Sequence, residues 1–559
     1  MKDYNIKIRL YSWAFCFIFL ILGKTGDLFA SQEQEDSSAI INEGYVQKNN
    51  APVVQDPATE LSREVASVKR KIAQKPGELN QNLKLAKAFF KENYYNLALF
   101  HMMEAVKEKP EFIERWSKLI DKILDKTGTL PLYVYEVNFL KKIPSTTIAL
   151  HLAHVSFKEK KYEETLNFLL KLDPSNSYYP EAMLLQGTVL DILKKPGSSE
   201  SFNSCILEAD KFANFTQLVS FKRYFILIKE ECLINQARSL YREEKYNASL
   251  DLYNLIDKKS YSFPFLLLDK AWNYYKKNDY NRALGLVMTY RSPLLESYFL
   301  PEAEVLQALS YFRLCLYKDA AVVIDQFYNV YGEKAKSLRS IIDQYANSPN
   351  YFFNLLTNSQ NADFDRPYIK NLKLQLNKQL KNIIHLAAYE KAKKELERME
   401  GTKINSKAKA FMKQAVANME KLINQHAKEY IYFFLNSINY YSYEMFNIKL
   451  EIISKKKDLL YENKKLISNR ARGNVDNVKA GEYEFFYGFN GEFWADEIGD
   501  YSFGLKSNCK TVEVKDVEAN IFDNKRENKT DKKVKDSGKE VEIKTAPKPI
   551  ESTEEEEYE

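Results

Sequence analysis

The sequence predicts an all-α fold in which helical hairpins stack into a solenoid. Three alanines, Ala237, Ala271 and Ala308, stand 34 and 37 residues apart, which is the period of a helix–turn–helix repeat. Each is followed nine positions later by a tyrosine and twelve positions later by a small residue. The chain lacks the sustained alternation of apolar and polar residues that a sheet requires.

The small residues have a physical role in this pattern. Where the two helices of a hairpin cross closely, a bulky side chain would push the backbones apart, whereas alanine, glycine or serine lets them approach. Rings then fill the remaining gaps. Because one hairpin cannot bury its apolar face alone, the pattern predicts stacked neighbours and one long concave surface suited to binding.

The same spacing predicts further hairpins nearer the N-terminus, which begin around Ala86, Ala153 and Gly187. These three residues and the three alanines above are here called the anchors. The unit around 116–142 is expected to be degenerate. The step from Gly187 to the next anchor is 50 residues, which predicts an insertion near Lys194–Ser201, where proline, glycine and serine indicate a loop.

Over roughly 79–331 this pattern resembles the tetratricopeptide repeat family. The resemblance implies right-handed superhelical stacking and a groove that binds a protein or peptide. A narrower resemblance links Ala271-Trp272, Ala283-Leu284-Gly285 and the run FNGEFWADE at 489–497 to repeat proteins of gliding bacteria, associated with envelope motility machinery. This narrower resemblance implies a location in the cell envelope more than it implies an activity. The predicted solenoid covers 61–345.

Residues 1–30 have the parts of a secretory signal. Basic residues precede an apolar run at 10–22, which is too short for a comfortable membrane span. We expect export to the periplasm, or to the periplasmic face of a bacterial envelope; an uncleaved anchor in the inner membrane is the alternative. Residues 31–60 are expected to be a flexible leader, and 511–559 a disordered charged tail.

Export would place the remaining cysteines, Cys205, Cys232, Cys315 and Cys509, in an oxidising compartment. Their wide spacing matches no metal-site signature. One interpretation pairs Cys205 with Cys232 across neighbouring helices. The interpretation that we favour treats them as small buried residues of a helical core.

Residues 346–475 are predicted to contain long helices. Apolar residues recur there at steps of three and four, as in an amphipathic helix: Met412, Val416, Met419, Ile423, Tyr430 and Phe433. A break near Gly401 would give a hairpin. It could cap the open face of the solenoid or act as a coiled-coil arm that binds another chain; the sequence leaves both open. His426 lies in the stripe and is expected to be a core residue.

In the family that the chain resembles, the side chains at two of the positions that follow each anchor face the groove. The position one after the anchor holds Lys87, His154, Arg238 and Trp272. The position five after it holds Lys91, Lys158, Arg242, Lys276 and Arg313, each preceded by a ring. These side chains suggest capture of an acidic or C-terminal peptide by charge-assisted bonds. The alternative is that such pairs are generic to the family, and the cations are solvated helix ends.

Nucleic acid is a poor candidate partner, because export and a net charge of only +6 over 559 residues argue against it. The block 476–510 combines an aromatic run with Glu492, Trp494, Asp496 and Glu497. It is either a patch that recognises a sugar polymer or basic peptide, or a plug whose rings pack on the long helices. We favour the plug.

The sequence contains no phosphate-binding loop, dinucleotide fingerprint, HExxH or GxSxG motif. His151 and His154 could reach one metal ion but lack a third ligand. We therefore expect no enzyme, no cofactor and no metal. The predicted function is an exported scaffold or adaptor that binds protein partners in a motility, secretion or envelope-assembly complex. The alternative is a protein that binds or cleaves cell-wall glycan through the 476–510 block.

Overall fold

The structure, a computed structural model, describes residues 80–217, 219–295, 298, 300–348, 350–357, 367–400, 404–466, 478, 485–486 and 491–513. The predicted signal and leader, and the tail after 513, lie outside these residues. Over its described residues the chain divides into two compact units. The first spans Met1–Ile453 and Arg470–Ser507, and the second spans Ser454–Asn469 and Asn508–Glu559.

The described chain forms eighteen α-helices, which confirms the all-α prediction. They are α1 (Gln81–Lys91), α2 (Tyr95–Glu108), α3 (Ile113–Thr127), α4 (Val137–Leu140), α5 (Thr146–Lys158), α6 (Tyr162–Leu169), α7 (Tyr179–Ile192), α8 (Ser198–Phe215), α9 (Val219–Arg242), α10 (Tyr246–Asn254), α11 (Phe263–Lys276), α12 (Tyr280–Met288), α13 (Pro301–Arg313), α14 (Tyr317–Tyr345), α15 (Tyr351–Thr357), α16 (Pro367–Asn377), α17 (Leu380–Met399) and α18 (Ser406–Tyr461). None of these helices is both long enough and apolar enough to span a bilayer.

The second unit contains a short antiparallel ladder of two strands, β1 (Lys464–Leu466) and β2 (Thr511–Glu513). Lys464 lies opposite Glu513. Each strand has only three residues, so the ladder leaves the fold class unchanged.

Six hairpins, α1–α2, α5–α6, α7–α8, α9–α10, α11–α12 and α13–α14, carry the anchors on their first helices. Each helix of the series from α7 to α14 packs on the next, and the first helices α7, α9, α11 and α13 also contact one another in succession. This stacking makes the α-solenoid. Helix α3 and the four-residue α4 occupy the unit predicted to be degenerate.

The small residues lie where the helices cross. The five anchor alanines and the residues twelve positions after them, Ala98, Thr165, Ser249, Ala283 and Ala320, are fully buried. The sixth anchor, Gly187, is more tightly packed still. A Cβ atom there would lie 2.7 Å from the Phe202 ring on α8, closer than real Cβ contacts come. That hairpin therefore needs glycine where the others use alanine.

All six hairpins turn with the same backbone geometry. The residue seven positions after each anchor has a φ between 54° and 62°: Asn93, Lys160, Lys194, Glu244, Asn278 and Cys315. The amide of the following residue donates to the carbonyl five residues earlier, at 2.9 Å in each hairpin. This is the Schellman motif, which ends a helix with one left-handed residue. Most of these residues carry side chains that disfavour positive φ, so the packed hairpin imposes the turn.

The rings predicted to flank a groove instead pack inside their own hairpins. In each of five hairpins, the ring four positions after the anchor contacts the tyrosine nine positions after it, with centroids 5.4–5.8 Å apart. The pairs are Phe90–Tyr95, Phe157–Tyr162, Tyr241–Tyr246, Tyr275–Tyr280 and Phe312–Tyr317. These aromatic pairs close the turn end of each hairpin.

The insertion expected near Lys194–Ser201 is not a long loop, because α7 ends at Ile192 and α8 begins at Ser198. The extra length lies in α8 and α9, which have 18 and 24 residues. Cys205 on α8 and Cys232 on α9 form a disulfide, with Cα atoms 6.2 Å apart. The favoured interpretation of two buried thiols is therefore wrong for this pair.

The long helices α17 and α18 form an antiparallel hairpin, here called the brace. Tyr389 Oη on α17 donates to Glu420 Oε1 on α18 at 2.9 Å. The apolar residues predicted to form the α18 stripe are buried, apart from the half-buried Phe433. Helix α18 has 56 residues, which corresponds to a length of about 84 Å.

One end of the brace binds the first hairpin. Glu395 on α17 accepts hydrogen bonds from the backbone amides of Asn96 and Leu97, at 3.1 and 2.8 Å, and from the Asn96 side chain at 2.9 Å. The carboxylate thus serves the unpaired amides that begin α2. Phe411 on α18 packs against Phe100, with centroids 5.1 Å apart.

The other end of α18 binds the last hairpin. Tyr441 Oη donates to Glu302 Oε2 on α13 at 2.7 Å, and Lys449 pairs with Asp325 on α14 at 3.1 Å. The brace therefore folds back along the solenoid and ties its first hairpin to its last. Of the two arrangements left open by the sequence, the structure shows the fold-back; binding of another chain stays a prediction.

We predict that Gly187→Ala destabilises the protein. The new methyl group must displace Phe202 within a packed crossing, and such overpacking costs about 1–3 kcal/mol. The matched control is Gly332→Ala on α14, where a Cβ atom meets nothing within 4 Å; a helical alanine there is expected to stabilise by about 0.5–1 kcal/mol. Urea unfolding measures both. Equal effects of the two substitutions would contradict the packing assigned to Gly187.

Candidate partner-binding surfaces

His154, predicted to face a groove, is buried between successive first helices. Its Nε2 lies 3.1 Å from Glu181 Oε1 on α7, and the carboxylate is the acceptor. Tyr224 Oη on α9 donates to the other oxygen of Glu181 at 2.7 Å. The three side chains join α5, α7 and α9, so His154 couples neighbouring repeats.

The two arginines of α9 also bind neighbouring first helices. Arg238 Nε donates to Asp269 Oδ2 on α11 at 2.9 Å, in a pair whose side chains are nearly nine-tenths buried. Arg242 pairs with Asp191 on α7. Helix α9 is thereby joined to the first helix before it and to the first helix after it.

Helices α11 and α13 are joined in the same way. Trp272 is buried, and its Nε1 donates to Glu302 Oε1 on α13 at 2.8 Å. Arg313 Nε donates to Tyr275 Oη on α11 at 3.1 Å. Together with the bonds described above, these contacts form a series of polar links between successive first helices, here called the inter-repeat ladder.

The ladder corrects the predicted groove. His154 and Trp272 are buried rather than open to a partner, because the nearest acceptors for their N–H groups are carboxylates on the next repeat. Among the predicted lysines, Lys87, Lys91 and Lys158 are exposed and Lys276 is half-buried. A role of these lysines in partner binding stays a prediction.

The brace covers part of the same face. The pKa of Lys381 on α17 is lowered to about 8, mainly by burial and to a smaller extent by the charge of Lys158 on α5, against Glu429, which raises it. The pKa of Arg313 is raised by its hydrogen bond to Tyr275 and, among smaller effects, by Glu451 on α18. Two of the predicted groove residues therefore lie beside the brace of this chain.

An exposed apolar stripe runs along the last turns of α18 in the first unit. Tyr443, Phe446, Leu450 and Ile453 are 63, 50, 48 and 55% exposed. Their spacing of three, four and three places them on one face over about 15 Å. The opposite face is buried against the solenoid through Tyr441, Met445, Ile448 and Ile452. This part of α18 is apolar on two sides, and only one of them is covered within the described residues.

Helix α14 runs beside this stripe. Tyr328 Oη donates to the Ser442 carbonyl at 2.7 Å, and Val322 on α14 is more than half exposed. We call Tyr328 and the four α18 residues the outer stripe. The pattern used for the sequence prediction is that of the buried face of α18, and the outer stripe was not predicted, although its heptad spacing is a signal that the sequence contains.

The C-terminal block docks on α12. Phe503 N donates to the Asn281 carbonyl at 3.0 Å. The Asn281 side chain accepts from the Leu505 amide at 2.9 Å and donates to the Leu505 carbonyl at 3.1 Å. A Cβ atom at Gly285 would collide with the Tyr501 carbonyl, so glycine permits this approach. The block packs as the plug interpretation expects, but its bonds are to α12 and to Lys258, which precedes α11, rather than to the long helices.

The predicted patch residues Glu492, Trp494, Asp496 and Glu497 all lie on the exposed side of this block. Trp494 is 58% exposed. Glu497 accepts a weak hydrogen bond from Tyr501 Oη at 3.4 Å. An exposed indole among carboxylates can contact a partner, and the docked residues 498–505 hold it in place.

Within the described ranges, no three His, Cys, Asp or Glu side chains are placed to hold a metal ion. His151 packs edge-on against Tyr133, with centroids 4.7 Å apart. Burial first, and then His154, lowers the pKa of His151 to about 3. Since His154 binds Glu181, the two histidines are committed to different neighbours.

We predict that Gly285→Ala releases the C-terminal block. The new Cβ atom and the Tyr501 carbonyl cannot occupy the same space, so residues 498–505 should leave α12. Hydrogen exchange should then show a loss of protection of about tenfold or more at 503–505, with the hairpins unchanged. Gly332→Ala serves as the control. Full protection in Gly285→Ala would show that the block does not depend on this approach.

Comparison with protein-family models returns no match, and a search of curated proteins finds no relative. The resemblance to tetratricopeptide repeats therefore rests on the register of this chain alone.

Proposed function

We propose that this chain is an exported, non-catalytic scaffold that binds a protein partner in the bacterial envelope, with the outer stripe as its docking surface. The exposure of four apolar side chains on one face of α18 is the observation that supports this most directly. Contiguous apolar surface of this kind is a common mark of protein interaction sites.

The spacing of the stripe favours a helical partner. Steps of three and four residues are those of the a and d positions of a coiled coil, which receive the side chains of a facing helix. The expected partner segment is an amphipathic helix with its own apolar residues at the same steps.

The charged residues beside the stripe indicate which residues should flank the apolar face of the partner helix. Glu444 and Glu451 lie beside the stripe on α18, and Glu451 is exposed. Lys449, on the other side, is already paired with Asp325. A partner helix with basic residues next to its apolar face would complement these carboxylates.

Two observations support export. The sequence begins with the parts of a secretory signal. The disulfide between Cys205 and Cys232 is buried in the core, and such bonds persist in oxidising compartments. The inter-repeat ladder uses five side chains of the predicted groove, His154, Arg238, Arg242, Trp272 and Arg313, and we therefore place the proposed partner on the outer stripe.

The test places the photo-crosslinking residue p-benzoylphenylalanine at Tyr443 in cells, because Tyr443 is an exposed ring and tolerates a ring of similar shape. We expect one envelope protein to crosslink through an amphipathic segment with basic flanks. Phe446→Glu combined with Leu450→Glu should lower the yield about tenfold or more, because it places charge in the apolar interface.

The matched controls are two separate variants at Leu207 on α8, one with the probe and one with glutamate. Leu207 is 69% exposed and lies outside the stripe. Equal yields from Tyr443 and Leu207, or crosslinks only to a second copy of this chain, would overturn the proposed partner. Circular dichroism of each variant must match the wild type.

A second candidate is binding of cell-wall glycan by the C-terminal block, favoured by the exposed Trp494 ring. Trp494→Ala should then abolish cosedimentation with purified peptidoglycan while leaving thermal unfolding unchanged. Alanine at Glu492 and Asp496 tests cleavage in the same preparation. A wild-type protein that neither sediments with the polymer nor degrades it would remove this candidate.

A further inference from the structure

Two histidines of the brace face each other near the end of α5. His385 on α17 and His426 on α18 lie edge to face, with ring centroids 6.1 Å apart. They are only 3 and 2% exposed. Neither ring nitrogen of His385 has a hydrogen-bond partner among the described residues. A neutral imidazole can be buried in this way, but an imidazolium at His385 would be a buried charge next to the cations Lys381 and Lys158.

The charged groups that face the pair are mostly cations. Lys381 lies one turn before His385 on α17, and Lys158 ends α5; both lower the pKa of each histidine. Glu429 on α18 acts on Lys381 and is the carboxylate of the group. Burial is the largest effect and, with these cations, holds the pKa of His385 and of His426 well below the usual range. A proton added to either ring therefore meets like charge from α5 and α17.

At its first-hairpin end the brace carries a carboxyl group, Glu395, whose titration opposes that of the histidines. Burial raises the pKa of Glu395 to about 7, against hydrogen bonds from Asn96 and Leu97 that lower it. When docked, Glu395 binds a proton more readily than it would in water, so acid favours its docked form. The two histidines bind protons less readily when docked, so acid favours their release.

The balance of protons gives the direction. In water a histidine titrates near 6.5 and a glutamate near 4.3. Between about pH 6.5 and 4.5, release of the brace gains up to two protons at the histidines and loses up to one at Glu395. A net gain of one proton changes the equilibrium about tenfold per pH unit.

We propose that His385 and His426 form an acid-sensitive latch, and that acidification undocks the brace from the first-hairpin end of the solenoid. Release would free the amides at the start of α2 from Glu395. The outer stripe lies at the other end of α18, so this latch is independent of the proposed partner site.

Hydrogen exchange of the full chain, corrected for the intrinsic effect of pH, tests the latch. Protection of α17 should fall about tenfold per pH unit between 6.5 and 4.5, while protection of α7 and α8 stays constant. A pH-independent α17 would overturn the proposal. So would a parallel loss of protection in α7 and α8, which would indicate global unfolding.

Substitutions separate the opposing groups. In His385→Gln with His426→Gln only Glu395 remains, so the slope should reverse and acid should increase the protection of α17. In Glu395→Gln the slope should steepen towards a hundredfold per unit. If the double glutamine variant retains the wild-type slope, the histidines are not the latch.

A surface variant keeps the test valid if the buried substitutions fail to fold. Lys158→Gln removes one like charge from the pair, so a docked histidine takes up a proton at a higher pH, and the fall in α17 protection on acidification should level off at a higher pH than in the wild type. Lys91→Gln is the matched control, since it has the same register in the first hairpin and is also exposed. Equal profiles for the two variants would contradict the role of Lys158.

Discussion

Close crossing of two helices at a fully buried small residue is the constraint on which this solenoid depends. Each anchor and, in five of the six hairpins, the residue twelve positions after it lie where a larger side chain would separate the backbones. Once the helices cross there, the turn that joins them has a fixed length and a fixed left-handed residue. That residue is Asn in two hairpins and Lys, Glu or Cys in the others. The crossing is therefore strongly specified by residue type, and the turn is specified by geometry.

Satisfaction of buried polar groups explains why Arg238 and His154 do not line an open groove. Arg238 and His154 leave solvent when the first helices stack, and buried polar groups require partners. The partners that stacking provides are carboxylates on the adjacent repeats, Asp269 and Glu181. Nearest-neighbour contacts of this kind hold a solenoid together. The same residues that suggested peptide recognition thus stabilise the stack.

The brace contacts both terminal repeats of the solenoid. A solenoid exposes apolar surface at its terminal repeats, which must be covered. Here one helical hairpin contacts the first and the last repeat, with Glu395 at one end and Tyr441 at the other. Docking of the brace buries titratable groups, because a helix that runs along the face of the first helices meets polar as well as apolar side chains. The titration of these buried groups makes the docking of the brace depend on pH.

Local periodicity alone determined the all-α class, the positions of the anchors and their tyrosines, the degenerate second unit and the buried stripe of α18. These features depend on residues within a few turns of each other, so spacing reveals them. Only the tertiary structure decided the partners of His154 and Trp272, the Cys205–Cys232 disulfide, the docking of the C-terminal block on α12 and the direction of the brace. Glu395 bonds to Asn96 across 299 residues, and no short-range pattern encodes which distant helix face will accept such a side chain.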